Sequence, residues 1–131
     1  MRPEYQSLAV ISLFFLFAWF PSSVGKMKLY GKKWVASNRA PVEGKSLTGW
    51  AGRAERAHNN LKDNIPGFIA AIALLGLTNG FDRTTTIASI LYVVVRIGHF
   101  ISYTIGNVPA RAAFFFAGLI SNSYLLIKVL I

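Results

Sequence analysis

The sequence predicts an all-α integral membrane protein, a four-transmembrane-helix bundle formed by a single domain, residues 1–131. Of the 131 residues, 53% are hydrophobic and only 15% are charged, which is more apolar than a typical soluble domain. The apolar residues form long blocks without strict alternation, which favours helices over the strands of a closed barrel. The expected spans cover approximately residues 5–30, 58–79, 85–105 and 110–131.

The first span is most apolar over Leu8–Phe20, and Pro21 is expected to kink or end its helix. The small residues at 22–25 also suit the cleavage site of a signal peptide. Two features favour an uncleaved transmembrane helix instead. Glu4 stands beside Arg2 at the amino terminus, and a lysine-rich stretch follows the apolar block.

Turn signals separate the later spans. Residues 79–82 (Asn-Gly-Phe-Asp) mark the turn between the second and third spans, and residues 106–109 (Gly-Asn-Val-Pro) mark the next turn. Pro109 suits the first turn of a helix. Residues 31–52 contain four glycines and one proline, so they are expected to form a loop with helical ends.

Basic residues crowd into that loop and its borders. The net charge is +9, and residues 26–63 hold nine Lys or Arg against three acidic residues. Such a loop between apolar segments is typical of the cytoplasmic side of a membrane. A nucleic-acid surface is the alternative, but the flanking spans favour contact with membrane lipids and no nucleic acid.

The chain contains no cysteine. It can therefore form no disulfide, no cysteine–metal site and no thiol nucleophile of its own. We expect no metal, and any thiol chemistry must use a thiol that a ligand brings.

The second span begins with a polar stripe. Its apolar part, Ile65–Thr78, has 14 residues, fewer than the about 20 that a helix needs to cross a bilayer. The span must therefore include polar residues, and Arg56, Asn60 and Asp63 share one helical face. This face suits a zwitterionic ligand with carboxylates and an amine, although a solvated helix end with structural ion pairs is an equally good interpretation.

The third and fourth spans carry further polar groups. Arg96 lies near the middle of the third span, where an arginine costs at least ~2.5 kcal/mol, and Asp63 is its expected partner in a structural pair. His99 and Tyr103 lie nearer the cytoplasmic end, where a ligand could reach them. Arg111 opens the fourth span on the same side, a position where a single arginine usually reaches a lipid phosphate.

Taken together, these motifs resemble those of the MAPEG family, the membrane-associated proteins in eicosanoid and glutathione metabolism, and of its bacterial glutathione-transferase-like members. The resemblance covers residues ~30–120 in the expected order around four spans, which makes it more specific than any single motif. The motifs are Arg53-x-x-Arg56-Ala57-His58-x-Asn60-x-x-Asp63, Arg96-x-x-His99-x-x-x-Tyr103, and Arg111-Ala112.

The resemblance implies a homotrimer that binds glutathione between subunits near the cytoplasmic face of a bacterial inner membrane. It implies a glutathione transferase, with or without peroxidase activity, that conjugates the glutathione thiolate to lipophilic electrophiles. Arg111 would be the catalytic, thiol-activating residue. The implied glutathione-binding residues are Arg56, Asn60, Asp63, His99 and Tyr103, with Arg53 and Asn59 as further candidates.

Some positions depart from the family pattern. Asp63 stands where many members carry Glu, while Ala112 and Phe115 stand where prostaglandin-synthase members carry Ser and Tyr, which argues against prostaglandin isomerase chemistry. The resemblance also implies a basic residue of the first span that helps to hold glutathione, and three lysines are candidates for this role. These are Lys26, Lys28 and Lys33.

Two other functions are compatible with the sequence. A non-catalytic lipid-binding or scaffold protein of the same fold would keep the spans and use the polar stripe structurally. A small transporter using Arg96, His99 and Asp63 ranks last, because four short spans make a poor single-chain transporter.

Overall fold

The computed structural model describes all 131 residues, which form six helices and no strand. This confirms the predicted all-α class. Three stretches are long and apolar enough to cross a membrane, Pro3–Tyr30, Arg83–Ile105 and Val108–Leu130. The helices are α1 (Pro3–Phe17), α2 (Phe20–Tyr30), α3 (Lys32–Val35), α4 (Gly49–Leu77), α5 (Arg83–Ile105) and α6 (Val108–Leu130).

The first apolar stretch is interrupted between α1 and α2. Helix α1 ends at Phe17, and Pro21 lies in the first turn of α2. Pro21 has no N–H to donate to the carbonyl of Phe17, and its ring crowds that carbonyl. The interruption therefore falls where the proline removes a helical hydrogen bond, as the sequence predicted.

The long helices run up and down beside one another. Helix α5 runs antiparallel to α4, because Tyr92 contacts Asn64 and, one turn later, Arg96 contacts Asn60. Helix α1 runs parallel to α5, with Glu4 on Thr85 at one end and the ring of Phe14 on Phe100 further along. The C-terminal ends of α2 and α5 and the N-terminal ends of α4 and α6 thus lie at one end of the molecule, here called the basic end, and the opposite end is the far end.

Fourteen buried apolar residues form the core between these helices. At its centre the rings of Phe68 and Tyr92 stack with their centroids 4.1 Å apart. Towards the basic end, α4 turns a row of buried alanines, Ala51, Ala54 and Ala57, inward. Small side chains in such a row let helix backbones approach closely.

The tightest approach brings Gly25 of α2 against Ala51 of α4. A methyl group on Gly25 would collide with the Ala51 Cβ, so Gly25→Ala is expected to destabilise the protein by about 1–2 kcal/mol through overpacking. Thermal unfolding in detergent measures this change. Ser23→Ala, on the same helix and without a hydrogen bond from its side chain, is the matched control, and an equal loss in both variants would contradict the close-packing argument.

Asp82 begins α5 at the far end. Its carboxylate accepts hydrogen bonds from the backbone N–H groups of Thr84 (2.8 Å) and Thr85 (2.9 Å) in a capping box. It also pairs with Lys128 of α6 at 2.9 Å. The hydrogen bonds from Thr84 and Thr85, together with Lys128, hold the pKa of Asp82 below its usual range.

Asp82→Ala is expected to lower the thermal unfolding midpoint in a pH-dependent way. Because the folded state depresses the pKa of Asp82, its contribution is complete above the ordinary carboxyl pKa of 3.8 and is lost as the pH falls further. The unfolding midpoints of wild type and variant should therefore differ at neutral pH, and the difference should shrink as the pH falls well below 3.8. Glu43→Ala, an exposed acid of the loop, is the control, and a pH-independent difference for Asp82→Ala would contradict the prediction.

Glu4 joins the start of α1 to the start of α5. Only 1% of this residue is exposed, and its Oε1 accepts hydrogen bonds from the hydroxyls of Thr85 (3.1 Å) and Thr86 (2.6 Å). Its Oε2 is buried without a partner. The N-terminal turn of the chain is therefore fixed to the bundle through a buried carboxyl group.

Candidate functional site

Three of the predicted site residues, Arg56, Tyr103 and Arg111, meet at the basic end around the ring of Tyr103 on α5. The Arg111 guanidinium carbon of α6 lies 4.6 Å from the centroid of this ring. The corresponding carbon of Arg56, on α4, lies 6.0 Å from the same centroid. Both distances fall in the range of cation–π contacts. Three helices thus bring two cations and a phenol together.

The turn between α5 and α6 places Arg111 beside Tyr103. Gly106 ends α5 in the left-handed conformation (φ 85°, ψ 19°), which glycine adopts without steric cost. Asn107 then begins α6 and accepts a hydrogen bond from the N–H of Ala110 at 3.1 Å. Because the turn is so short, the first turn of α6 packs next to the last turn of α5.

Neither Arg56 nor Arg111 has an acidic partner. The two ion pairs of the chain are Lys26–Glu55, between α2 and α4, and Lys128–Asp82 at the far end. Arg111 is half-buried and Arg56 is exposed, so both guanidinium groups keep donors that an anion could use. This part of the basic end therefore carries uncompensated positive charge.

Arg53 ties the start of α4 to the end of α5. Its Nε donates a hydrogen bond of 2.9 Å to the carbonyl oxygen of Thr104, and its side chain packs over Gly106. A cation that binds a terminal carbonyl is favourable at the C-terminal end of a helix. Arg53 thereby holds the turn that carries Tyr103 next to Arg56.

The predicted pairing of Arg96 with Asp63 is wrong. Arg96, 1% exposed, donates through Nη2 to the side-chain oxygen of Asn60 at 2.6 Å. Its Nε is buried without a partner. The antiparallel register of α4 and α5 places Asn60, one turn from the Tyr92–Asn64 contact, at the level of Arg96. The structural role expected for Arg96 is compatible with this position, but an amide and not a carboxylate is its partner.

Asp63 and Asn59 lie on the outside of α4. Both residues are exposed, and neither side chain makes an ion pair or a hydrogen bond within the chain. Asp63 shares the helical face of Arg56 at a spacing of seven residues. The exterior of α4 thus carries a free carboxylate about two turns from a free guanidinium group.

His99 lies behind Tyr103, inside the bundle. It is 2% exposed, and its ring lies 5.6 Å from the Tyr103 ring and 6.0 Å from the Phe115 ring, centroid to centroid. It makes no hydrogen bond within the chain. In this arrangement His99 supports the Tyr103 ring from the interior side.

The structure places the three lysines that are candidates for glutathione binding in different environments. Lys26 pairs with Glu55, Lys28 borders a cavity beside Thr48 and Trp50, and Lys33 lies exposed on α3. One supporting residue escaped the sequence reasoning, Tyr92, whose hydroxyl donates a hydrogen bond of 3.3 Å to the backbone carbonyl of Asn64. This bond joins α5 to α4, but a buried tyrosine in an apolar span gives no sequence signal of such a role.

Comparison with known proteins identifies the family of this chain. No curated protein and no solved structure is significantly similar to the chain. The profile of the MAPEG family, in contrast, matches residues 7–131, nearly the whole chain. With its apolar spans and this match, the chain is a membrane protein that belongs to the MAPEG family.

Proposed function

We propose that this protein is a membrane-bound glutathione transferase that conjugates the glutathione thiolate to lipophilic electrophiles. The observation that carries the proposal is the convergence of Arg56 and Arg111 on Tyr103 without any acidic partner. In the proposed arrangement four segments cross the membrane, α1 with α2, α4, α5 and α6, and the basic end faces the cytoplasm.

The charges of the outer α4 face are complementary to those of glutathione. Glutathione carries two carboxylates and one ammonium group at neutral pH, and the site offers two free guanidinium groups and the free carboxylate of Asp63. Arg56 and Asp63 lie seven residues apart, about 10 Å along the helix axis. An extended tripeptide also spans about 10 Å, so the two ends of glutathione can reach both residues at once.

Arg111 is the proposed catalytic residue. A free thiol ionises near pH 8.5, and an adjacent cation favours the thiolate, which is the nucleophile. The thiol proton leaves to solvent, and the thiolate sulfur forms a bond to the electrophilic carbon as the leaving group departs or the double bond takes up a proton. The Tyr103 ring, 4.6 Å from the Arg111 guanidinium carbon, would help to hold this group beside the sulfur.

The exposure of the site supports the proposed homotrimer. Arg56, Asn59 and Asp63 lie on an outer helix face, so one chain alone leaves glutathione open on one side. A second copy packed on this face would cover the ligand and exclude water. The basic residue that the family resemblance implies, one of Lys26, Lys28 and Lys33, would then come from that neighbouring copy.

A second candidate function is lipid binding without catalysis. Two apolar cavities of about 400 Å³ each favour it, one between α1 and α5 and one between α5 and α6. Both open on the side of the bundle, where acyl chains would lie. A lipid-binding protein needs neither the free guanidinium groups nor the free carboxylate at the basic end.

Glutathione binding to the detergent-purified protein tests the proposal. We expect saturable binding at or below millimolar glutathione, followed by thiolate absorbance near neutral pH. S-Methylglutathione, which has the same charges and no thiol, is the control and should bind without the absorbance. Absence of binding at millimolar glutathione would overturn the transferase proposal and favour lipid binding.

A further inference from the structure

The end of α2 and the segment that leads from it to α4 carry positive charge that lies outside the Arg56–Tyr103–Arg111 cluster. We call residues 26–48 the basic loop, which holds six Lys or Arg and one acid, Glu43. Of the six, only Lys26 has an acidic partner. The other five, Lys28, Lys32, Lys33, Arg39 and Lys45, make no ion pair.

A cavity of about 300 Å³ opens between the basic loop and the start of α4. Lys28 contributes the charge of its wall, and Ser46 and Thr48 contribute two hydroxyl groups that make no hydrogen bond within the chain. Gly25, Leu29, Leu47 and Ala51 supply its apolar part. The cavity thus combines a cation and free hydroxyls with an apolar floor.

Aromatic side chains lie around this cavity, as they do around sites at the level of lipid headgroups. Trp50 lines the cavity and remains 44% exposed. Tyr30 and Trp34 stack nearby on α2 and α3, with their centroids 4.2 Å apart. Tyrosine and tryptophan concentrate where apolar chains meet water, and the apolar stretch of α1 and α2 ends at this point of the chain.

We propose that this cavity binds the headgroup of an anionic phospholipid. The Lys28 ammonium group would pair with the phosphate, and the hydroxyls of Ser46 and Thr48 would donate hydrogen bonds to its oxygens. The acyl chains would follow the apolar floor towards the bilayer. The four other unpaired cations of the basic loop attract anionic lipids to this side of the protein.

The apolar floor favours a lipid over free phosphate as the ligand. A free phosphate ion gains nothing from Leu29 and Leu47, whereas a phospholipid buries its glycerol and upper acyl chain there. Arg56, Tyr103 and Arg111 do not line the cavity. The lipid proposal therefore does not depend on these three residues, although it uses Lys28, one of the three lysines that the family resemblance leaves as candidates for the glutathione site.

Native mass spectrometry of the full-length protein in detergent tests this site. Equal amounts of phosphatidylglycerol and phosphatidylcholine with matched acyl chains are added without glutathione, and the bound lipids are counted. We expect wild type to bind more phosphatidylglycerol than phosphatidylcholine. Lys28→Gln should lower this ratio about fivefold. Lys33→Gln removes the same charge from the same loop outside the cavity and should change the preference less than twofold. A Ser46→Ala, Thr48→Val double variant, which keeps every charge, should also weaken the preference.

Three results would overturn the proposal. The first is equal binding of the two lipids by wild type. The second is an equal loss in the Lys28 and Lys33 variants, which would indicate diffuse attraction by the whole basic loop. The third is displacement of phosphatidylglycerol by millimolar inorganic phosphate, which would identify a phosphate site that needs no lipid.

Discussion

An Arg111→Ala variant is expected to lose the glutathione thiolate signal and at least about 100-fold of the transferase rate, a loss typical of removing one charged or hydrogen-bonding group at a reacting atom. Arg111 lies 4.6 Å from the Tyr103 centroid, and no carboxylate neutralises it. Without this cation the bound thiol would return towards its solution pKa of about 8.5. Thiolate absorbance at neutral pH and the rate with a model aryl halide measure the two effects.

Two further variants test whether positive charge alone activates the thiol and whether the effect is specific to this position. Arg111→Lys keeps the charge but loses the planar group that stacks on Tyr103, so it should retain part of the thiolate signal. Arg83→Ala removes an exposed arginine at the far end and should leave both measurements unchanged. A full thiolate signal in Arg111→Ala would exclude Arg111 from thiol activation.

An Asn60→Leu variant is expected to lower the free energy of unfolding by about 3 kcal/mol, because it removes a hydrogen-bond partner from a buried cation. Arg96 is 1% exposed, and its 2.6 Å bond to the Asn60 side chain is its strongest contact. The remaining contact, to the backbone oxygen of Asn60, is 3.4 Å long. Thermal or denaturant unfolding in detergent without glutathione measures this loss.

The adjacent Asn59 provides the control for this prediction. Asn59 is exposed and unpaired, so Asn59→Leu should change the free energy of unfolding by less than about 0.5 kcal/mol. Replacing both partners, with Asn60→Leu and Arg96→Met together, should restore much of the stability, because no buried charge remains. A double variant as unstable as Asn60→Leu alone would show that the loss comes from packing and not from the unpaired cation.

The bounds of α5 and α6 were predictable from local signals. The expected spans 85–105 and 110–131 differ by two residues or fewer from Arg83–Ile105 and Val108–Leu130. Asp82 and Asn107 are capping residues with a short polar side chain, and Gly106 and Pro109 end one helix and begin the next. These signals act within a few residues, so the sequence alone contains them.

The start of α4 was not predictable from hydropathy. The second span was expected from residue 58, whereas the helix begins at Gly49. Residues 49–57 include Arg53, Glu55 and Arg56, so they do not resemble a membrane segment. Hydropathy measures how well residues fit into lipid and not whether they are helical. Alanine favours a helix, and Ala51, Ala54 and Ala57 lie in the part of α4 that precedes its apolar part.

The sequence predicted that three of the candidate site residues lie close together, but it did not predict which residues contact Arg96. Family resemblance grouped Arg56, Tyr103 and Arg111, which lie together in the structure. Charge reasoning paired Arg96 with Asp63, because it considered which groups attract and not which residues face each other. The register of two packed helices decides that question, and it depends on core contacts such as the Phe68–Tyr92 stack.

The hydrogen bonds between Glu4 and α5 impose an order on biogenesis. Glu4 and Thr85 are separated by 81 residues, a delay of about 4–16 s at a synthesis rate of about 5–20 residues per second. During that interval the carboxyl group of α1 has no hydroxyl partner from α5, so it stays near water instead of entering lipid. The Glu4 hydrogen bonds can therefore form only after the start of α5 has been synthesised. A nascent chain stopped before Thr85 would hold its first helix only through contacts with residues already made, such as the ring of Tyr5 on Phe81.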